Sequence, residues 1–395
     1  MSHRYRAIVI GCGAIGAATA YWLSRRLGGD VLVLEQYDLG HTQGASEDHS
    51  RIIRHAYSRP EYTALTPAAY QSWNLIEQST GLSLVQRTGG LILAESGTSG
   101  ATYLTQTAAA MSAAGLPFDE FSGTDVTRRW PQWRLGPQHQ ALFDPEAGVL
   151  DIRRATAAHV ALARDNGATV IPRAQVQAIA ANDAGVRVEA GDVVYTADTL
   201  ALCGGAWNPV LLRMLGADLR ITLTEEQVTY FATTKLRDFA PERFPIYGFI
   251  DTDDLLYYGF PIYGEVATKA GIDGAGPVVT TESRTHAADP QRIQHVRRFL
   301  ERYLPDALGP ELYSRVCCYD FPPDRDFIAD HVPGHDRVVV CAGAGHAGKF
   351  AGLLGRILTE LLLDGASRFP IQAFSADRPA IAGGAPAGPV RSNSI

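Results

Sequence analysis

Five segments carry residue types and spacings that chemistry can use. Gly11-Cys12-Gly13-Ala14-Ile15-Gly16 is a G-x-G-x-x-G turn, and Glu35 follows it by nineteen residues. Gly11 permits a tight turn, Gly13 lets the backbone approach a pyrophosphate, and Gly16 lets the next helix pack on the strand. The helix N-terminus then presents free N–H groups and a positive dipole end to the phosphates. Glu35 is placed to accept from a ribose and disfavours a 2′-phosphate. The motif binds an adenosine diphosphate group and leaves NAD and FAD both open. His49-Ser50-Arg51-Ile52-Ile53-Arg54-His55 holds two arginines three apart, on one face if the segment is helical; alone it reads as a solvated basic helix start. Thr268-Lys269-Ala270-Gly271-Ile272-Asp273 holds one lysine in a strand, by itself an ordinary surface residue. Val316-Cys317-Cys318-Tyr319 has adjacent cysteines, usually small buried hydrophobes, and lacks the second spaced pair that zinc requires. Gly343-Ala344-Gly345-His346-Ala347-Gly348-Lys349-Phe350 is a second glycine turn suited to a phosphate or a ring edge.

The elements around these segments must position them. The order strand (Ala7–Ile10), glycine turn, helix to Arg26, strand (Val31–Leu34) and acid is a Rossmann unit. Later segments are expected to complete its sheet: a helix over Asp151–Asn166, strands at Thr169–Ile171, Val176–Ile179, Val186–Glu189, Thr199–Cys203 and Val338–Cys341, and a helix over Leu353–Leu363. Arg87–Leu93, Glu226–Ala232, Leu255–Phe260 and Val266–Ala270 read as strands of a second sheet, exposed on one face. The fold class is α/β, a Rossmann-like nucleotide domain interleaved with a mostly antiparallel substrate domain. Residues 1–84, 150–219 and 320–372 form the first domain and residues 85–149 and 220–319 the second. Residues 373–395 are expected to be a poorly ordered Ala/Gly/Pro-rich tail.

Composition narrows the function. The 395 residues are 46% hydrophobic and 19% charged, enough for two domains and a core. A formal net charge of −7 argues against nucleic acid as a partner. No apolar run is long enough to span a membrane. An odd count of five cysteines fits a reducing compartment, and a cytoplasmic enzyme is expected. Nucleophile elbow, HExxH, P-loop and metal-ligand spacing are all missing. Cofactor redox chemistry is the class that remains.

The ordered blocks Ser50-Arg51-Ile52-Ile53-Arg54-His55-Ala56-Tyr57, Gly205-Ala206-Trp207-Asn208, Tyr257-Tyr258-Gly259-Phe260-Pro261, Cys317-x-Tyr319 and Gly345-His346-x-x-Lys349-Phe350, with the fingerprint, resemble the monomeric sarcosine oxidase and N-methyltryptophan oxidase family. The resemblance runs from about residue 5 to residue 380. It implies a D-amino-acid-oxidase-like fold, FAD, and oxidation of the C–N bond of a secondary or cyclic amino acid to an imine and hydrogen peroxide. It implies a monomer whose partners are a small amino acid and oxygen. Cys317 resembles the cysteine joined by a thioether to the flavin. Arg54 and Lys349 resemble the pair that holds the substrate carboxylate. Lys269 resembles the lysine that assists oxygen activation, and Arg51 an arginine near the flavin ring. Tyr258 and Tyr319 resemble aromatic walls of the substrate cavity, while Ser50, Val176, Gly345, His346 and Lys349 fall among the flavin contacts.

The sequence departs from that pattern at Asp273, where sarcosine oxidase has a histidine four residues after the lysine. Fungal fructosyl amino acid oxidases carry an acid at the matching place, and the imino acid oxidase of nikkomycin biosynthesis an Asp nearby. A substrate larger than sarcosine, with a second polar or cationic group, is therefore expected to meet Asp273. Glu47 and His49 depart as well. The alternatives are a fructosyl amino acid oxidase, an amine dehydrogenase using another acceptor, and a non-catalytic nucleotide-binding protein. The last leaves Arg54, Lys269, Cys317 and Lys349 unexplained together.

Overall fold

A computed structural model describes residues 3–383. Its first sheet has eight strands in the order Val176–Asn182, Gly185–Ala190, Val193–Leu202, His3–Ile10, Val31–Leu34 and Thr169–Ile171, with His335–Ala342 beside Val193–Leu202 and Ile328–Val332 beside that. The central pairings are parallel, with Ile8 opposite both Leu200 and Leu32. Parallel strands covered on both faces need apolar residues of both parities. Val9, Val33 and Val339 accordingly pack under the helices Ala14–Leu27, Pro60–Thr80, Ile152–Asp165 and Ala351–Asp364. Ile8, Leu32 and Leu200 pack against the opposite layer. The helices Ala14–Leu27 and Ala351–Asp364 touch backbone to backbone: a Cβ on Gly355 would lie 2.5 Å from the Ala18 carbonyl carbon. The Rossmann unit and each strand assigned to this sheet from the sequence are present.

The second sheet has nine strands, in the order Val278–Val279, Thr222–Phe231, Thr268–Ile272, Leu256–Phe260, Ile246–Ile250, Gly90–Glu95, His139–Asp144 and Asp119–Ser122, with Glu311–Phe321 along the outer side of Thr222–Phe231. All of its pairings are antiparallel except Ile246–Ile250 with Gly90–Glu95. Its far face carries Phe231, Tyr257, Ala270 and Ile272, packed on Phe299 and Leu300 of the helix Pro290–Tyr303. The Tyr257 and Phe299 rings stack at 4.3 Å. The expectation of a sheet exposed on one face is therefore corrected, since all five residues of Thr268–Ile272 are buried.

Three further corrections follow from local structure. Arg87–Leu93 is two strands, Val85–Arg87 and Gly90–Glu95, broken where Gly89 takes φ +70°. The first joins Ser50–Ile53 and Gly148–Asp151 in a separate three-stranded sheet. Ser50–Ile53 is thus a strand, not a helix, and Arg51 and Arg54 are not helical neighbours. The chain also stays packed past residue 373, with Phe374, Ala376 and Ile381 buried and Arg378 paired with Asp324. The rest of the expected tail, residues 384–395, lies outside the described residues. No helix among the described residues is long and apolar enough to cross a membrane.

Candidate active site

A cavity of about 700 Å³ runs along the C-terminal ends of the parallel strands, the usual place for a ligand in an open α/β sheet. The fingerprint turn forms one end. Gly11 has φ +94°, and a Cβ there would lie 2.4 Å from the Cys203 carbonyl oxygen. A Cβ on Gly16 would lie 2.0 Å from the Gly11 carbonyl oxygen. Gly16 thus holds the turn from behind, while Gly11, Gly13 and Glu35 line the cavity. The helix that follows has no acidic residue in its first turn, so its positive end faces the cavity unopposed. Glu35 Oε2 accepts from the Cys12 N–H at 2.7 Å and Oε1 from the Tyr37 N–H at 3.0 Å. Burial alone would raise its pKa, but His41 and these two amides hold it below the ordinary value. A carboxylate has about four acceptor positions, so Glu35 retains capacity for ribose hydroxyls. Val176 lines the same cavity.

The second glycine turn closes the other end. Gly343, Gly345 and Gly348 line the large cavity, and Gly345 has φ +76° with Tyr319 packed where a Cβ would stand. Asp320 holds this turn, accepting from the Gly343 N–H at 3.0 Å. Burial pushes the Asp320 carboxyl up to about 6, against the pull of the turn amides. The 3₁₀ turn Ala347–Phe350, which leads into the helix Ala351–Asp364, contributes Ala347 and Gly348 to the same elongated space. The glycine cradle, the ionised Glu35 and the N-terminus of Ala14–Leu27 fit a dinucleotide.

A smaller cavity of about 120 Å³ adjoins the first, and Arg51, Tyr319 and Gly345 line both. Its roof is one face of the second sheet. Because side chains alternate along a strand, Lys269 and Asp273 point into it together, as do Tyr258 and Phe260 on the next strand and Cys317 and Tyr319 on Glu311–Phe321. Cys318 falls on the opposite face, buried with Ala206 and Leu223. Burial raises the Cys317 thiol to about 12, with Arg51 pulling the other way. The floor comes from Ser50, Arg51, Arg54, His346 and Lys349.

The cations of this cavity differ in their surroundings. Arg51 is tied to three carbonyl oxygens, those of Ser50, Ala45 and Glu47, at 2.8, 2.6 and 2.6 Å. Arg54 lies over the Tyr57 ring at 4.5 Å, and its buried Nε has no hydrogen-bond partner. Lys349 donates to the His346 carbonyl at 3.0 Å. Among the described residues neither Arg54 nor Lys349 forms an ion pair. Burial and then Arg54 push the Lys349 pKa well below its ordinary value. Burial, then Lys349, depress His346 likewise, so its imidazole is neutral. Asp273 faces this group; burial raises its carboxyl to about 6, against Arg325, Lys349 and Arg54. Unlike these, Lys269 already has a partner: Nζ lies 2.6 Å from Asp48 Oδ2 and donates to the Ser50 carbonyl and hydroxyl at 3.2 and 3.1 Å.

The residues given a cofactor or substrate role in the sequence therefore meet at the two cavities, apart from Gly16 behind the turn. Asp48, Glu226, Asp320 and Arg315 were not singled out. Strand parity would have found Glu226 and Arg315, which share a face with Cys317 across Thr222–Phe231 and Glu311–Phe321. Asp48 and Asp320 lie outside any motif, and only the tertiary fold brings them in.

Known proteins resemble the chain over nearly all of its length. The family model "FAD dependent oxidoreductase" (DAO) matches residues 6–361. Monomeric sarcosine oxidase of Bacillus sp. (strain B-0618) is 32% identical over 386 residues, covering 96% of this chain and 98% of the relative. N-methyl-L-tryptophan oxidase of Yersinia pestis (strain Pestoides F) is 30% identical, covering 95% and 99%. The solved structure of NikD, an unusual amino acid oxidase essential for nikkomycin biosynthesis, superposes with a TM-score of 0.84 at 25% identity, covering 94% of this chain and 97% of NikD. A cradle built for a dinucleotide, an FAD family model spanning most of the chain and full-length relatives agree: the chain belongs to the FAD dependent oxidoreductase family.

Proposed function

We propose that the protein oxidises the C–N bond of a secondary or cyclic amino acid to an imine, with oxygen as acceptor and hydrogen peroxide as second product. The observation that carries this reading is the pair Arg54 and Lys349, two buried cations with no ion-pair partner among the described residues, in a cavity that joins the cofactor cradle. Asp273 faces both but forms no ion pair with either, so two desolvated basic groups are left to be neutralised by a carboxylate brought by the substrate.

In this reading residues 1–84, 150–219 and 320–372 hold FAD and residues 85–149 and 220–319 cover the substrate. Gly11, Gly13, Glu35 and Val176 hold the adenosine diphosphate end; Ser50, Arg51, Gly345, His346 and Lys349 border the flavin end. When bound, FAD would supply the two-electron redox chemistry: the substrate C–H and N–H together give up two electrons and two protons to form the imine, and oxygen receives two electrons and two protons to become hydrogen peroxide. Arg54 grips the carboxylate with a planar fork and Lys349 with an ammonium whose proton the anion stabilises. Tyr258 and Tyr319 exclude water from the reacting carbon. Asp273, across the cavity from both cations, receives a second polar or cationic group of the substrate. Cys317, on the cavity face of its strand, carries the thioether to the flavin, and Lys269 supplies the positive charge for oxygen reduction. We infer a monomer in the cytoplasm, which size-exclusion chromatography and cell fractionation test.

A peroxide-coupled screen tests the function. Cyclic imino acids and sugar-modified amino acids are expected to turn over faster than sarcosine. Flavin bleaching by an amino acid without peroxide under air would mark a dehydrogenase instead.

A further inference from the structure

Asp48 sits at an unusual point. Its φ of +73° is in the left-handed region, which residues other than Gly, Asn and Asp seldom adopt. Its side chain is spent entirely inward. Oδ1 accepts from the Tyr230 hydroxyl at 2.5 Å and the His49 N–H at 2.8 Å, while Oδ2 pairs with Lys269. Both members of the ion pair are only 4% exposed. Tyr230 stands directly opposite Lys269 on the neighbouring strand and Phe260 on the other side. The ammonium therefore lies between two rings, 4.6 Å from the Phe260 centroid and 5.8 Å from that of Tyr230. The other charged or titratable groups facing it are Arg51, Glu47 and Cys317. Arg51 is a like charge, and Glu47 is itself pushed towards its neutral form by burial. Asp48 is thus the one full counter-charge in contact with Lys269 among the described residues.

We propose that Asp48 is a positioning residue that keeps the Lys269 side chain charged and aimed into the wall between the two cavities. A buried ammonium beside a guanidinium, with its carboxylate removed, gives up its proton rather than remain unpaired. The charge assigned to Lys269 for oxygen chemistry therefore depends on a loop residue outside every motif. This inference rests on the proposed flavin oxidase reading.

The test is a cycle of Asp48→Asn, Lys269→Met and the double variant, because Asn keeps the left-handed backbone open. The first measurement is the midpoint potential of the bound flavin at pH 6 and pH 8.5, which does not depend on oxygen chemistry. In the Asp48→Asn background, adding Lys269→Met is expected to lower the potential at pH 6 and leave it unchanged at pH 8.5. Equal lowering at both values would show that Lys269 stays charged without Asp48 and overturns the proposal. If the Asp48→Asn background shows no lowering at either, Lys269→Met in the parent decides: a lowering there shows that Asp48 sustains the charge, and no lowering there overturns the proposal. The second measurement is the rate of flavin reoxidation. Asp48→Asn is expected to match Lys269→Met at pH 8.5, at least tenfold slower than the parent, and to recover towards pH 6. Should Lys269→Met reoxidise normally while the potentials behave as expected, the oxygen role fails and the Asp48 inference stands. If Asp48→Asn does not retain flavin, thermal stability of the apoproteins decides. The double variant should then exceed Asp48→Asn by a margin that grows from pH 9 to pH 6, and a margin independent of pH overturns the proposal.

Discussion

Asp273→Asn isolates the energetic state of the substrate cavity. Burial lifts the Asp273 carboxyl from 3.8 to about 6, although three cations face it. A pKa raised in the folded state means that the folded protein binds a proton which the unfolded chain has released. Stability is then lost as pH rises from about 4 to about 6. The displacement corresponds to roughly 3 kcal/mol. Asparagine has the same shape and no charge to desolvate. Asp273→Asn should therefore be more stable than the parent by roughly 3 kcal/mol at pH 7.5, with the difference shrinking towards zero near pH 4. Paired thermal melts at pH 4.5, 6 and 7.5 give the difference directly. A substrate that places a cation against Asp273 should narrow the gap at pH 7.5, because it relieves the buried anion in the parent alone. A difference that is the same at all three pH values would refute the reasoning, because the carboxylate would then be solvated or paired.

Arg54→Gln should lower kcat/KM by about 10- to 150-fold, chiefly through KM, from loss of a charge-assisted bond of about 1.5–3 kcal/mol in a site screened from water; unchanged KM in steady-state assays would exclude the carboxylate role. Affinity for a simple carboxylate inhibitor should weaken as pH rises, because burial and Arg54 lower the Lys349 pKa and only its protonated form attracts the anion; titrations of the flavin spectrum read this, and Lys349→Met should flatten the profile. Cys317→Ser should release yellow flavin on acid precipitation while Cys318→Ser does not, since the two thiols face opposite sides of their sheet; the reverse result shifts the attachment by one residue. Lys269→Met should slow flavin reoxidation in stopped flow and leave anaerobic reduction nearly unchanged.

The nucleotide half was legible because its constraints are local. The strand, glycine turn, helix, strand and acid all fall within thirty-five residues, with Gly16 set by the Gly11 carbonyl and Gly11 answering to a distant strand end at Cys203, and apolar runs mark buried parallel strands. Lys269 and Lys349 were found through motif resemblance, since nothing in their neighbours' polarity separates a cavity lysine from a surface one. The helical option for His49–His55 fails because Ile52-Ile53 suits either geometry, and pairing with Gly148–Asp151, about a hundred residues away, decides for the strand. Asp48 and Asp320 were missed for a related reason. Each acts through contacts made only in the tertiary fold: Asp48 is a lone carboxylate in a loop, and Asp320, near the end of the strand Glu311–Phe321, holds a turn that follows a strand of the other sheet.

The alternation along Thr268–Ile272 separates two kinds of variation. Lys269 and Asp273 belong to the cavity, whereas Ala270 and Ile272 belong to the layer under Phe299 and Leu300. Side-chain swaps at odd positions can therefore retune chemistry while the hydrophobic layer is untouched, and swaps at even positions alter stability first. A single-residue insertion is a different event. It would turn Lys269 and Asp273 into an apolar layer with no counter-charge and present Ala270 and Ile272 to the substrate. Both halves of the molecule would fail at once, so this strand can drift by substitution but not by length.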